Sequence, residues 1–137
     1  MNIGLIMGEV VKLVGEKLTK ELAKVDKLLP MESFIILNIL YGKENLIQND
    51  LAEILHQDKS GILRKIDFLQ EKKLVLRMPS SKDRRRNIIV LTQKGEKTVK
   101  MFRAIESHVF NDLLIDVSPE DSQTFYDILI NMKTKLI

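Results

Sequence analysis

The residues with the clearest chemical character lie in one stretch, RMPSSKDRRRNIIVLT, from Arg77 to Thr92. Five of its first ten side chains are Arg or Lys, and three arginines, Arg84, Arg85 and Arg86, follow one another directly. A solvated turn needs only Asn, Gly or Ser. Adjacent like charges repel, so the run points to something outside the chain that is itself negatively charged. Arginine suits the narrow minor groove of A·T-rich DNA, where the negative potential deepens, and it also pairs with phosphate. Lys82 adds to the same charge. Asp83 is placed to brace one arginine through a two-point carboxylate–guanidinium pair.

The charge is concentrated around this stretch. From Asp58 to Arg86 there are ten basic side chains and four acidic ones, a surplus of six, while the whole chain of 137 residues carries only +3. The rest is therefore net acidic. A basic middle on an acidic frame suits a polyanion held on one face.

Just upstream, QNDLAEILHQ and DKSGILRKIDFLQEKK read as two short helices joined by about three residues. Asn49 or Asp50 can cap the first, whose buried side is Leu51, Ala52, Ile54 and Leu55. The second has an apolar stripe of Ile62, Ile66 and Leu69, flanked by Leu63. Its other face carries Lys59, Ser60, Gly61, Arg64 and Lys65. In a major groove Arg64 could grip a guanine at two points, Ser60 and the helix N-terminus suit a phosphate, and Gly61 lets the backbone approach. LVLRMP and NIIVLT then read as a β-hairpin whose tip is SSKDRRR.

These elements must be held by what flanks them. Ile6, Val10, Leu13, Val14, Leu18, Leu22 and Val25 recur at helical spacing over residues 3–29, and Pro30 ends that helix or opens the next. MESFIILNILYG gives a helix with Phe34, Leu37 and Leu40 on one face, and Ile36 and Ile39 beside them. After Gln93, Val99, Phe102, Ile105, Val109 and Leu113 mark a long helix. The last helix opens with Ser118 as cap, Pro119 in first position and Glu120 and Asp121 at its positive end. Its apolar face is Phe125, Ile128, Leu129, Met132 and Leu136. The expected fold is mainly α with a small β-hairpin wing. Residues 31–92 form a winged helix-turn-helix lobe, and residues 1–29 and 93–137 form flanking helices within a single domain. The terminal stripes find no cover in the lobe, which points to a homodimer built from both chain ends.

The chain has no cysteine, so disulfides, thiolate metal sites and thiol redox sensing are excluded. With only His56 and His108, a metal site would need mostly carboxylates. No catalytic motif or nucleophile–base pair stands out, and no cofactor is called for. The N-terminus lacks the features of a signal peptide, and no apolar run is long enough for a bilayer. The expectation is a cytoplasmic, non-enzymatic protein without membrane contact.

DLAEILHQDKSGILRKIDFLQEKKLV followed by DRRRNIIVLTQKG resembles the MarR family of bacterial transcription regulators. The wing pattern of that family is Asp-x-Arg, a short run ending in Leu-Thr, then Gly in the next helix start. Asp83, Arg85, Leu91, Thr92 and Gly95 fall on it. The resemblance implies a dimeric regulator, repressor or activator, on palindromic double-stranded DNA. It also implies a small aromatic or phenolic effector bound between dimerisation helices and DNA-binding lobe. By the same likeness Arg85 enters the minor groove and Asp83 holds it. The chain departs from the pattern at His56, where the family often has Gly in a left-handed turn, and at Gly61, where it often has Thr. Two other readings stay open. One is a winged-helix adaptor whose basic face meets an acidic protein, and the other is a DNA-binding protein of this fold with no effector.

Overall fold

A computed structural model describes all 137 residues as eight elements. They are α1 (Ile3–Ala23), α2 (Met31–Gly42), α3 (Gln48–Leu55), α4 (Lys59–Glu71), β1 (Val75–Pro79), β2 (Asn87–Leu91), α5 (Gln93–Leu113) and α6 (Pro119–Leu136). The chain forms two compact units, residues 1–105 and 106–137. No helix is long and apolar enough to cross a membrane.

In the first unit the core is built from the predicted stripes. Phe34, Ile36, Leu37 and Leu40 of α2 pack with Leu51 and Ala52 of α3, Ile62, Ile66 and Leu69 of α4, and Val99 and Phe102 of α5. The rings of Phe34 and Phe102 stack with centroids 5.2 Å apart. Leu22 of α1 and Leu74 before β1 close the same cluster. Ile54, expected on the buried side of α3, is exposed. A short two-turn helix has room for one inward row, and Leu51 and Leu55 fill it, Leu55 being partly buried.

Helix α1 ends at Ala23, six residues short of the sequence expectation. The Asp26 carboxylate accepts a hydrogen bond from the Leu28 N–H at 2.8 Å and turns the chain, and Pro30 then stands as the extended cap of α2. Such Asx turns compete with helix wherever Asp meets a free backbone N–H. The cap of α3 also differs: Ile47 occupies the cap position, and Asp50, three residues on, accepts from its N–H at 2.8 Å. The acidic residue is the one anticipated, acting from inside the first turn.

Strands β1 and β2 pair antiparallel, Val75 opposite Leu91 and Pro79 opposite Asn87. A third segment joins them, because Ile47 bridges to Ile88 and the Ile89 N–H donates to the Leu46 carbonyl at 2.8 Å. The tip-side half of β2 is thereby tied to the entry of α3.

In the second unit α6 starts as its sequence announces: Ser118 Oγ accepts from the Asp121 N–H at 3.1 Å, and Pro119 is the first helical residue. None of the residues of α6 is buried. Phe125, Ile128, Leu129, Met132 and Leu136 all lie open, as do Ile3, Leu5, Ile6, Val10, Val11 and Leu13 at the other end of the chain.

Candidate nucleic-acid interface

Helices α3 and α4 are joined through His56, Gln57 and Asp58. His56 has φ 52° and ψ 43°, the left-handed conformation expected for this turn, and its N–H reaches the carbonyls of Ala52 and Glu53. Asp58 caps α4, with Oδ1 accepting from the Gly61 N–H at 3.3 Å and Oδ2 from the Ser60 hydroxyl at 2.7 Å. The Ser60 bond, followed by the Gly61 one, holds the Asp58 carboxyl below the usual Asp range. Asp58 thus takes the place that the sequence reading gave to a phosphate at Ser60 and the helix end. Gly61 has an internal reason as well, since a Cβ there would lie 2.7 Å from Asp58 Oδ1.

On the open side of α4, Lys59, Ser60 and Arg64 are exposed, while Gly61 and Lys65 are half-buried. Lys65 differs from its neighbours. Its Nζ lies 3.0 Å from Glu32 Oε2 and also donates to Gln57 Oε1. These residues line a groove of about 620 Å3 with Pro30, Ile36, Arg64 and Phe68.

The wing tip is organised around Asp83. Ser80 and Arg86 close the loop through an N–H···O bond of 2.8 Å, and the Arg86 N–H donates to the Asp83 carbonyl at 3.0 Å. Asp83 Oδ1 accepts from the Arg85 backbone N–H at 3.0 Å. Its carboxylate is shared between guanidinium groups, Oδ1 at 3.5 Å from Arg85 Nε and Oδ2 at 3.8 Å from Arg86 Nε. The expected two-point pair with one arginine is replaced by one loose contact to each of two. The geometry follows from the tight turn, which uses one carboxylate oxygen for the backbone. Arg85 keeps 93% of its side chain exposed and Arg86 66%; Arg84 and Lys82 are exposed too. Arg77, in contrast, is turned back on α4, 2.7 Å from both Asp67 Oδ1 and Gln70 Oε1. The structure therefore presents two basic features from one unit, the face of α4 and the arginine tip, with Arg77 fastening wing to helix.

Known proteins share both the sequence pattern and the fold. The model of the MarR family matches residues 29–86, which run from the approach to α2 through the arginine tip. The whole chain also superposes on a crystal structure of the Staphylococcus aureus MepR–DNA complex. The TM-score is 0.80 at 25% identity, covering 100% of this chain and 99% of that one. The chain is similar to the MarR family over residues 29–86.

MepR bound to ethidium bromide is similar as well, with 25% identity, a TM-score of 0.67, and coverage of 100% of this chain and 98% of that one. A MarR-family transcriptional regulator from Rhodococcus sp. shares the fold at 22% identity and TM-score 0.79, over 96% and 93% of the two chains. The winged helix-turn-helix fold expected from the sequence is the fold of these regulators.

Within this wing the Leu-Thr-x-x-Gly part of the motif is structural. The Thr92 hydroxyl donates to the Lys73 carbonyl at 2.6 Å and accepts from the Gly95 N–H at 3.0 Å. The Thr92 N–H donates to the Leu74 carbonyl at 3.1 Å, and Lys94 Nζ to that of Lys72 at 3.0 Å. Gly95 is buried so close that a Cβ would stand 2.1 Å from Leu74 O. The first turn of α5 is thus seated on the carbonyls that end α4. Sequence reading placed these residues in a pattern without giving their task. The signal was a glycine inside a helix start, where only a close approach of backbone justifies it.

Proposed function

We propose that this chain is a DNA-binding transcription regulator of the MarR kind, acting as a homodimeric repressor on a palindromic operator. The observation that carries the reading is the open arginine tip, Arg84 to Arg86 set around Asp83, beside the exposed Lys59, Ser60 and Arg64 of α4. A helix of this width enters the major groove, and a basic loop beside it reaches the adjacent minor groove. The occurrence of MepR in complex with DNA supports the same reading.

The unburied apolar faces of α1 and α6 support association of two copies. A twofold dimer sets two copies of α4 about 34 Å apart, one turn of duplex. Release by a small molecule is part of the proposal. MepR bound to ethidium bromide shows that a similar chain holds an aromatic cation, and an aromatic or phenolic compound is the class to screen here.

The test is selection of bound duplexes from a random pool at near-physiological salt, followed by titration of Arg85→Ala on the enriched sequence. The expected result is a palindrome with half-sites one turn apart. The variant should weaken binding about tenfold or more, as loss of a groove contact worth about 1–3 kcal/mol requires. A folded dimer that enriches nothing would overturn the DNA reading and leave the adaptor with an acidic protein partner.

A further inference from the structure

Of the three cations on α4, Lys65 is the one held in an ion pair. It sits one turn after Gly61 and next to Arg64, on the face read as DNA-facing, yet its ammonium points across the groove to α2. There it meets one carboxylate oxygen, Glu32 Oε2 at 3.0 Å, and one amide oxygen, Gln57 Oε1. The Lys65 side chain keeps 29% of its surface exposed and Glu32 59%, so both stay within reach of a ligand. This pair of acceptors offers what DNA would offer a lysine, an anionic oxygen and a neutral carbonyl-type oxygen. The contact joins the N-terminal turn of α2 to the middle of α4, and no other ion pair links these two helices.

We propose that Glu32 sets DNA affinity by occupying Lys65 in the free protein, as an internal substitute for phosphate. The proposal rests on the DNA-binding reading above. A phosphate that approaches Lys65 meets a neutralised pair and must displace a carboxylate. The displaced carboxylate then stands in the field of the polyanion. Glu32 therefore lowers affinity through Lys65, and a direct repulsion of DNA by its charge is the effect to separate from this one. Exchange at an exposed site is shallow, so the pair tunes binding and does not block it.

The full-length chain is titrated with a fluorescent duplex from about 0.05 to 0.3 M salt. Four forms are compared: wild type, Glu32→Gln, Lys65→Met and the double variant, with melting curves to match their folded fractions. Glu32→Gln is expected to tighten binding about two- to fivefold per recognition helix. It should also steepen the slope of log K against log salt by about 0.9 per helix, one more phosphate engaged. In the Lys65→Met background the same change should have almost no effect, and Lys65→Arg, which keeps the charge, should restore it. Equal tightening in both backgrounds would overturn the proposal in favour of simple charge repulsion. Unchanged or weaker binding by Glu32→Gln would overturn it in favour of a contact that only positions the helices. If wild type and all variants fail to bind any duplex, the DNA reading falls and this inference with it.

Discussion

Replacing Gly95 by alanine should unfold this protein more readily, although alanine is the better helix former. The added Cβ would lie 2.1 Å from Leu74 O, 3.2 Å from Leu74 C and 3.1 Å from Leu91 Cδ2. Ordinary contact begins at 3.4 Å, so the carbonyl must retreat by more than 1 Å. It cannot do so alone, because it accepts the Thr92 N–H at 3.1 Å and follows the Lys73 carbonyl that binds the Thr92 hydroxyl at 2.6 Å. Overpacking costs about 1–3 kcal/mol, and loosening two hydrogen bonds costs about 0.5–1.5 kcal/mol each. The gain in helix propensity returns about 1 kcal/mol. The net is a loss of about 3 kcal/mol, or about 6–12 °C in melting temperature for a chain of this size. Gly42→Ala provides the internal control. That glycine has nothing within 4 Å of an added Cβ and no positive φ, so alanine there should stabilise by up to about 1 kcal/mol. Urea unfolding at one fixed protein concentration measures both, since association would otherwise shift the midpoint. A Gly95→Ala protein as stable as wild type would refute the argument that this glycine exists for the backbone contact.

Two further outcomes follow from the turn between α3 and α4, alongside those given for Arg85 and Glu32. His56→Gly should raise stability by about 0.5–1 kcal/mol. It removes a left-handed penalty of about 1–2 kcal/mol and adds about 0.5–1 kcal/mol of chain entropy; a lower melting temperature would mean that the imidazole makes a contact worth more than the strain. Asp58 titrates below the ordinary Asp range in the folded protein, so its contribution is complete above about pH 3.9 and is lost as pH falls through the folded value. Ser60→Ala removes the largest cause, and an NMR titration of the Asp58 carboxyl should then show its midpoint rise; an unmoved midpoint would deny the Ser60 bond that role.

The arginine tip and the two-helix motif were legible because their signals are local. Charge density, turn formers and a three-residue joint all lie within about thirty residues of chain. The stripes Ile62, Ile66 and Leu69 in α4 and Phe34, Leu37 and Leu40 in α2 were readable for the same reason: period and burial coincide. Reading failed where a side chain competes for the backbone. Val25 and Leu28 continue the apolar rhythm of α1, but Asp26 ends the helix, and periodicity carries no term for that bond. Asp58 counted as one more charge in sequence, whereas in the fold it occupies the N-terminus of α4. The strap at Leu46 and Ile47 was invisible because two residues have no period. The Glu32–Lys65 pair joins positions 33 apart, and only the packing of α2 on α4 brings them together.

The seat of Gly95 and Thr92 has a mechanical consequence. Within the first unit α5 runs from Gln93 to Ile105, a rod of about 20 Å. Its first turn is fastened to the carbonyls that end α4 through Thr92, Lys94 and the glycine contact. A rod clamped at one end behaves as a lever. A tilt of about 5° about that clamp moves Ile105 by about 2 Å, by the length of the rod. Read in reverse, a displacement of α5 at Ile105 acts first on the carbonyls of Lys72, Lys73 and Leu74, where the helix is seated.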